Sequence, residues 1–111
     1  MTDSILDSIK KLLNIETTNT DFDAELIINI NSVFMILGQL GLHDEVFRIT
    51  DATARWDSYL ENSDDLDAVK SYIYLKVKML FDPPLNSSVM EALKEQIREL
   101  EWRLNIQIEE S

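Results

Sequence analysis

Four stretches of the chain carry apolar side chains at steps of three and four residues, the spacing that gives an α-helix one buried face. The second stretch has the broadest apolar surface, because Phe34 and Met35 lie beside its main core stripe. A helix of that kind is either central in its fold or shared with a partner. The pattern predicts an all-α fold, a compact bundle of four main helices at about residues 4–13, 21–40, 64–81 and 87–104.

Capping and helix-breaking residues mark the ends of these segments. Ser4 is placed to cap the first helix, and Gly41 to end the second in the left-handed conformation. The only two prolines, Pro83 and Pro84, stand side by side between the third and fourth helices. Because proline has no backbone N–H and restricts the residue before it, the pair stops the third helix sharply. We predict a stiff corner there, followed by a fourth helix capped by Asn86, Ser87 or Ser88.

Helical periodicity weakens between residues 42 and 63, which we predict to be a long irregular connection with one or two helical turns near Trp56. Long irregular connections in small domains are usually functional or disordered, and the aromatic residues here argue against disorder. Residues 42–67 hold eight acidic and only two basic side chains. We expect an acidic surface, for a partner or for DNA that moves past without sticking, formed by Asp44, Glu45, Asp51, Asp57, Asp64 and Asp65.

The period changes again at the end of the chain. Leu104, Ile106 and Ile108 alternate with polar residues, which is a strand pattern and predicts an extended C-terminal tail. The tail has two interpretations. It can fray as an exposed terminus, or it can add to the sheet edge or groove of another chain.

Several helices carry large apolar side chains outside their core stripes. Isolated exposed apolar residues are normal, but a set at helical spacing indicates a subunit interface. A head-to-tail contact between identical copies closes into a ring when the rotation permits. The candidate subunit or partner interface comprises Phe34, Met35, Phe47, Ile49, Trp56, Tyr72, Leu75, Trp102, Ile106 and Ile108.

The length and the charge of the chain limit the classes of function that fit it. The chain has 111 residues, so a single domain spanning 1–111 is expected, and its net charge is −11. Such an acidic chain is poorly suited to sequence-independent DNA binding and is repelled by anionic membranes. Its acidity can serve solubility, mimic nucleic acid, or form a surface past which DNA moves without sticking. With no secretory signal, no apolar run of spanning length and no cysteine, we expect a soluble intracellular protein.

Motifs for catalysis are missing from the sequence. It has no HExxH, P-loop or GxGxxG pattern, and its single histidine, His43, has no recognisable acid or nucleophile partner. No ExxH pair exists for a di-iron site, and the acidic loop lacks the calcium-binding pattern. We therefore predict no catalytic, cofactor-binding or metal site, and a protein that is not an enzyme.

Four segments of the chain form a recognisable set: "INSVFMILGQLG", "FRITDATARWDSYL", "VKSYIYLKVKMLFDPP" and "VMEALKEQIRELEWRLNIQ". Together they resemble the small head–tail connector, or adaptor, proteins of tailed bacteriophages and prophages. The resemblance covers roughly residues 5–107. Its most specific part runs from "YIYLKVKMLFDPP" to "ELEWRLN".

The resemblance implies a mostly helical, non-enzymatic virion subunit, found in the host cytoplasm before assembly. Such proteins form rings, commonly of about twelve copies, beneath the portal protein, and extend the DNA channel. Implied partners are further copies of the chain, the portal, neck or tail-completion proteins, and DNA only as passing cargo, with no membrane. The alternative is a small acidic regulator that binds another protein, or a DNA mimic, and it predicts acids arrayed on one folded face.

Overall fold

The computed structural model describes residues 4–41, 47–59 and 63–110, and only the backbone at 63–65 and 107–110. Over these ranges the chain is all-α, and the predicted fold class is confirmed. The one bridge between extended segments joins Ser4 to Arg55 in the described part of the chain. The helices are α1 (Ile5–Leu12), α2 (Asp23–Gln39), α3 (Trp56–Tyr59), α4 (Ser63–Phe81) and α5 (Ser87–Glu110).

The ends of the helices follow the local chemistry of the sequence. The Ser4 Oγ accepts a hydrogen bond of 3.3 Å from the backbone N–H of Asp7, which caps α1 as predicted. Gly41 has a φ of 94°, the left-handed conformation expected beyond the end of α2. Of the three proposed caps for α5, Asn86 supplies the bond, since its Oδ1 accepts from the N–H groups of Ser88 and Val89.

The core lies where α4 packs against both α2 and α5. The Pro83–Pro84 corner turns the chain back, so that α5 runs antiparallel to α4. The hydroxyl of Tyr72 on α4 donates to the Glu101 carboxylate on α5 at 2.8 Å. The helices contribute one stripe each to this core: Leu26, Ile30, Val33 and Leu37 from α2; Val69, Ile73 and Val77 from α4; and Leu93, Ile97 and Leu104 from α5.

A buried lysine joins α1 to α2. Lys10 is only 1% exposed, and its Nζ lies 2.8 Å from a carboxylate oxygen of Asp23. The same ammonium donates to the carbonyl oxygen of Thr17 at 3.0 Å. A cation out of water needs such partners, because an uncompensated buried charge is very unfavourable. This arrangement fixes α1, the following loop and the start of α2 relative to one another.

The segment at 47–50 attaches to α2 through one side chain. The Asn31 amide donates to the carbonyl oxygen of Ile49 at 3.0 Å and accepts from the N–H of Ile49 at 2.8 Å. This pair of bonds satisfies backbone groups that a helix or sheet would otherwise satisfy. Farther along, the indole N–H of Trp56 in α3 donates to the Ser8 Oγ of α1 at 3.1 Å.

The prediction of an extended C-terminal tail is wrong. Residues 104–110 continue α5 without a break, and Leu104 is buried against the core. The physical reason is that a helix satisfies its backbone groups within the segment, whereas a lone strand leaves them unpaired. The predicted helical turns near Trp56 are confirmed by α3. Residues 42–46 and 60–62 of the predicted connection lie outside the described residues.

Candidate interaction surfaces

Four residues predicted to lie at an interface are instead part of the core. Phe34, Ile49, Trp56 and Tyr72 are each no more than 1% exposed. The segment at 47–59 folds over α2, and Phe34 contacts the rings of Phe47 and Tyr59, with centroids 5.0 and 4.6 Å away. Because that covering is a long-range contact, the spacing within α2 did not reveal it. The prediction that these four side chains form a surplus apolar face is wrong.

The other predicted interface residues divide by exposure. Met35 is 55% exposed and Trp102 is 64% exposed, so both remain accessible to a partner. Phe47, Leu75 and Ile106 are half-buried. The side chain of Ile108 lies outside the described residues.

The predicted acidic surface is visible in part. Asp51 and Asp57 are exposed. Hydrogen bonds from the hydroxyl and then the backbone N–H of Thr53 lower the pKa of the Asp51 carboxyl below its usual value. Asp44 and Glu45 fall outside the described residues. Asp64 and Asp65 lie in the first turn of α4, where only the backbone is described.

A groove of about 580 Å³ runs along the outer face of α2, beside the segment at 47–50. We call it the α2 groove. Its apolar lining includes Ile27, Ile28, Met35 and Ile49, and among the described residues Arg48 is the one charged side chain that lines it. Ile28 is 67% exposed, and sequence reasoning missed it. The helical spacing of the sequence already indicated its exposure, since Ile28 and Met35 are seven residues apart and therefore share the face opposite the core stripe.

The outer face of α5 carries Trp102 among charged side chains. Three ion pairs lie along it: Glu91–Lys94 at 3.6 Å, Glu95–Arg98 at 3.0 Å and Glu99–Arg103 at 2.6 Å. Exposed pairs of this kind contribute a few tenths of a kcal/mol each. An exposed indole ringed by charges is typical of an interface anchor rather than of an ordinary surface.

A smaller groove of about 240 Å³ lies between α4 and α5. Its apolar members are Met79, Leu80 and Ile97, and its charged members are all cations, Lys76, Lys94 and Arg98. In a chain with 21 acidic and 10 basic residues, such a site favours an anionic partner group. Leu80 is 55% exposed here.

Among the described side chains, no group of three or more potential metal-ligating residues comes together. Burial raises the pKa of Tyr59, and burial followed by the hydrogen bond to Glu101 raises that of Tyr72. Both shifts keep the phenols protonated at neutral pH. None of the helices in the described ranges has the length and apolar character that crossing a membrane requires.

Comparison with known proteins assigns the chain to a family. The family model described as "Phage connector protein" matches residues 5–111. The chain belongs to the phage connector protein family. This confirms the resemblance found in the sequence. Searches of curated proteins and of solved structures gave no match.

Membership of this family indicates which kind of partner the exposed surfaces could contact. Phage connector proteins are structural components of the virion. A connector contacts other virion proteins, such as the portal. The exposed apolar side chains of α2 and α5 are therefore candidates for contacts within a virus particle.

Proposed function

We propose that this protein is the repeating subunit of a ring that docks beneath the portal at the head–tail junction. In this role it extends the DNA channel and presents a platform for neck or tail-completion proteins. The observation that carries the proposal is the match of residues 5–111 to the phage connector family. Family membership favours this role over that of an acidic regulator or DNA mimic.

Exposed apolar surface supports assembly. An isolated copy leaves Ile28, Met35 and Trp102 more than half exposed. Each is a large apolar group, and removing such groups from water contributes about 25 cal/mol per Å² of apolar area. Contacts with neighbouring copies and with the portal would supply that burial. Before assembly, the subunit would remain in the host cytoplasm.

The charge supports a channel role. With a net charge of −11, the chain repels the phosphates of DNA and has few cations to displace their counterions. Exposed acids such as Asp51 and Asp57 would line or border the channel, where DNA passes as cargo without sticking.

Electron microscopy of the full chain mixed with the portal of the same phage tests the proposal. We expect a ring of extra density on one end of the portal, absent when either protein is omitted. Unchanged portal particles at saturating concentrations of the chain, with no co-sedimentation, would contradict the proposed role. A basic DNA-binding protein provides the test of the alternative, since a DNA mimic must displace DNA from it.

A further inference from the structure

The cationic groove between α4 and α5 combines apolar surface with positive charge. Its lining consists of three apolar and three cationic side chains, Met79, Leu80, Ile97, Lys76, Lys94 and Arg98. The Leu80 side chain is 55% exposed, so the apolar part of the groove is accessible. All side chains from 66 to 106 are described, so the charges of the two helix segments that form the groove are known. A partner that fits this groove has an apolar group with carboxylates beside it.

The ion pairs along α5 leave the cations of the groove available. Lys94 lies 3.6 Å from Glu91 and Arg98 lies 3.0 Å from Glu95, and neither carboxylate lines the groove. Because both charges of such an exposed pair stay in water, the pair is weak and an incoming carboxylate can replace the partner. Lys76 is half-buried and forms no ion pair with any described residue. Lys76 is therefore the cation that most needs a partner from outside the copy.

The surface at the start of α2 has the complementary properties. Phe22 is 39% exposed, and its ring packs edge-on against Phe81 with 5.4 Å between centroids, which fixes its orientation. Asp21 and Glu25 are exposed, and they lie one residue before and three residues after Phe22. Neither acid forms an ion pair with another described residue. We call Asp21, Phe22 and Glu25 the Phe22 surface.

We propose that the Phe22 surface of one copy packs into the cationic groove of the next copy, with the ring against Leu80 and the flanking acids facing Lys76. This inference rests on the proposed function and specifies the contact between neighbours. Every copy carries both surfaces, and they are different patches, since Phe22 contacts α4 from the side of α2 and the groove lies between α4 and α5. A contact between different patches is heterologous, and it generates a closed ring or an open chain of copies.

Charge reversal on either side should weaken the contact. Lys76→Glu places a carboxylate opposite the acids of the Phe22 surface, and the double variant Asp21→Lys, Glu25→Lys places cations opposite Lys76. We expect each of the two variants to self-associate at least about tenfold more weakly than the unaltered chain, because like charges facing each other at an interface are strongly unfavourable. The measurement is sedimentation of the full chain at increasing concentration, with and without portal.

Lys78→Glu is the matched control for the groove. Lys78 lies two residues farther along α4, outside the lining of the groove, and its reversal changes the net charge of the chain by the same amount. We expect Lys78→Glu to assemble as the unaltered chain does. If Lys76→Glu and Lys78→Glu weaken self-association equally, the effect is one of net charge and the proposed contact is wrong.

Mixing the two charge-reversed variants gives the decisive result. When Lys76→Glu alternates with the double variant Asp21→Lys, Glu25→Lys, every contact again joins opposite charges. We therefore expect an equimolar mixture to assemble, although neither variant does so alone. Urea unfolding of each variant shows that it is folded before mixing. No assembly from the mixture of folded variants, with or without portal, would overturn the proposed contact.

The apolar half of the contact has its own test. Leu80 lines the groove, whereas Leu85 at the proline corner is fully exposed and lies outside the lining. We expect Leu80→Ser to weaken self-association by about tenfold, as for an apolar anchor, and Leu85→Ser to leave it unchanged. The same sedimentation measurement compares the two variants. Equal behaviour of Leu80→Ser and Leu85→Ser would contradict the proposed packing of Phe22.

The outcomes also separate this contact from the proposed function. If the charge-reversed variants form rings on the portal as the unaltered chain does, the contact is wrong and the connector role stands. If Lys76→Glu loses portal binding but keeps self-association, the groove docks on the portal and the contact is again wrong. If the unaltered chain shows neither ring nor portal binding, the proposed function itself fails.

Discussion

One buried and one half-buried polar side chain hold the non-helical parts of this small helical protein in place. Lys10 ties the loop after α1 to α2, and Asn31 ties the 47–50 segment to α2. Each has its hydrogen-bonding groups satisfied by named partners, which is the condition for a buried polar group to stabilise a fold. Such residues fix geometry in a way that apolar packing alone does not.

Removing the partner of the buried lysine should be costly. We expect Asp23→Asn to lower the free energy of unfolding by about 3 kcal/mol, because it leaves the buried Lys10 ammonium without its negatively charged partner. Lys10→Met should be milder, since it removes the buried charge and keeps the aliphatic stem. Urea unfolding of the two variants, with Glu25→Gln as an exposed-acid control, measures this. A larger loss for Lys10→Met would contradict the explanation.

The two buried phenols predict sensitivity to alkali. The pKa of Tyr59 and of Tyr72 is raised in the folded protein, so the fold retains protons that the unfolded chain releases above its ordinary tyrosine pKa of about 10. Their contribution to stability is therefore complete below pH ~10 and is lost as the pH rises above it. We expect urea midpoints to fall above that pH, and to fall less steeply in the double variant Tyr59→Phe, Tyr72→Phe. An identical slope in that variant would refute the assignment.

The helices themselves show which local signals are strong. The caps at Ser4 and Asn86, the left-handed Gly41 and the proline corner all act as their chemistry requires. The alternation of Leu104, Ile106 and Ile108 does not produce an extended segment, because α5 can extend by one hydrogen bond per residue. A three-residue alternation is too short to outweigh that gain without a second strand to pair with.

A matched pair of substitutions tests the helical tail. Asn105 lies inside α5, so Asn105→Ala should raise stability by about 0.5 kcal/mol through helix propensity. Asn14 has a φ of 64°, so Asn14→Ala should lower stability by about 1 kcal/mol, since alanine disfavours the left-handed region. Thermal and urea unfolding compare the two variants. No gain from Asn105→Ala would favour a tail that is not helical in solution.

At the scale of the whole molecule, one chain hides a core and still exposes apolar side chains on separate faces. The exposed groups differ from most of those that the sequence suggested, because the 47–59 segment covers part of α2. Among the described residues, the uncovered surfaces include the α2 groove, the α5 face around Trp102 and the cationic groove between α4 and α5. Three different surfaces suit the proposed role of a ring subunit, which would contact neighbours, the portal and later proteins.

Adjacent residues of α2 should respond differently to truncation. Phe34 is buried, so Phe34→Ala should lower the free energy of unfolding by about 3 kcal/mol or more through a cavity. Met35 is exposed, so Met35→Glu should change stability by less than about 0.5 kcal/mol while weakening assembly on the portal. Urea unfolding and co-sedimentation with portal separate the effects. If the Met35→Glu variant assembles fully on the portal, the outer face of α2 is not part of the interface.

The sequence was sufficient to predict some residues of the candidate surface and not others. Met35 and Trp102 were identified correctly as lying off the core stripes, since helical spacing alone places them there. Ile28 shared that signal but was not singled out. Phe34, Ile49, Trp56 and Tyr72 were misplaced, because their burial depends on contacts between residues far apart in the chain. The acidic residues outside the described ranges remain a prediction.

The sequence by itself determined the helical class, the positions of the main helices, the proline corner and the family, because periodicity, capping and breaking residues act over a few positions. Only the tertiary structure decided which apolar faces are closed and which stay open. That choice depends on how the 47–59 segment folds across α2 and how α5 turns back along α4. Burial depends on contacts between segments that are distant in the chain. The spacing within one helix therefore cannot specify which of several apolar stripes another segment will pack against.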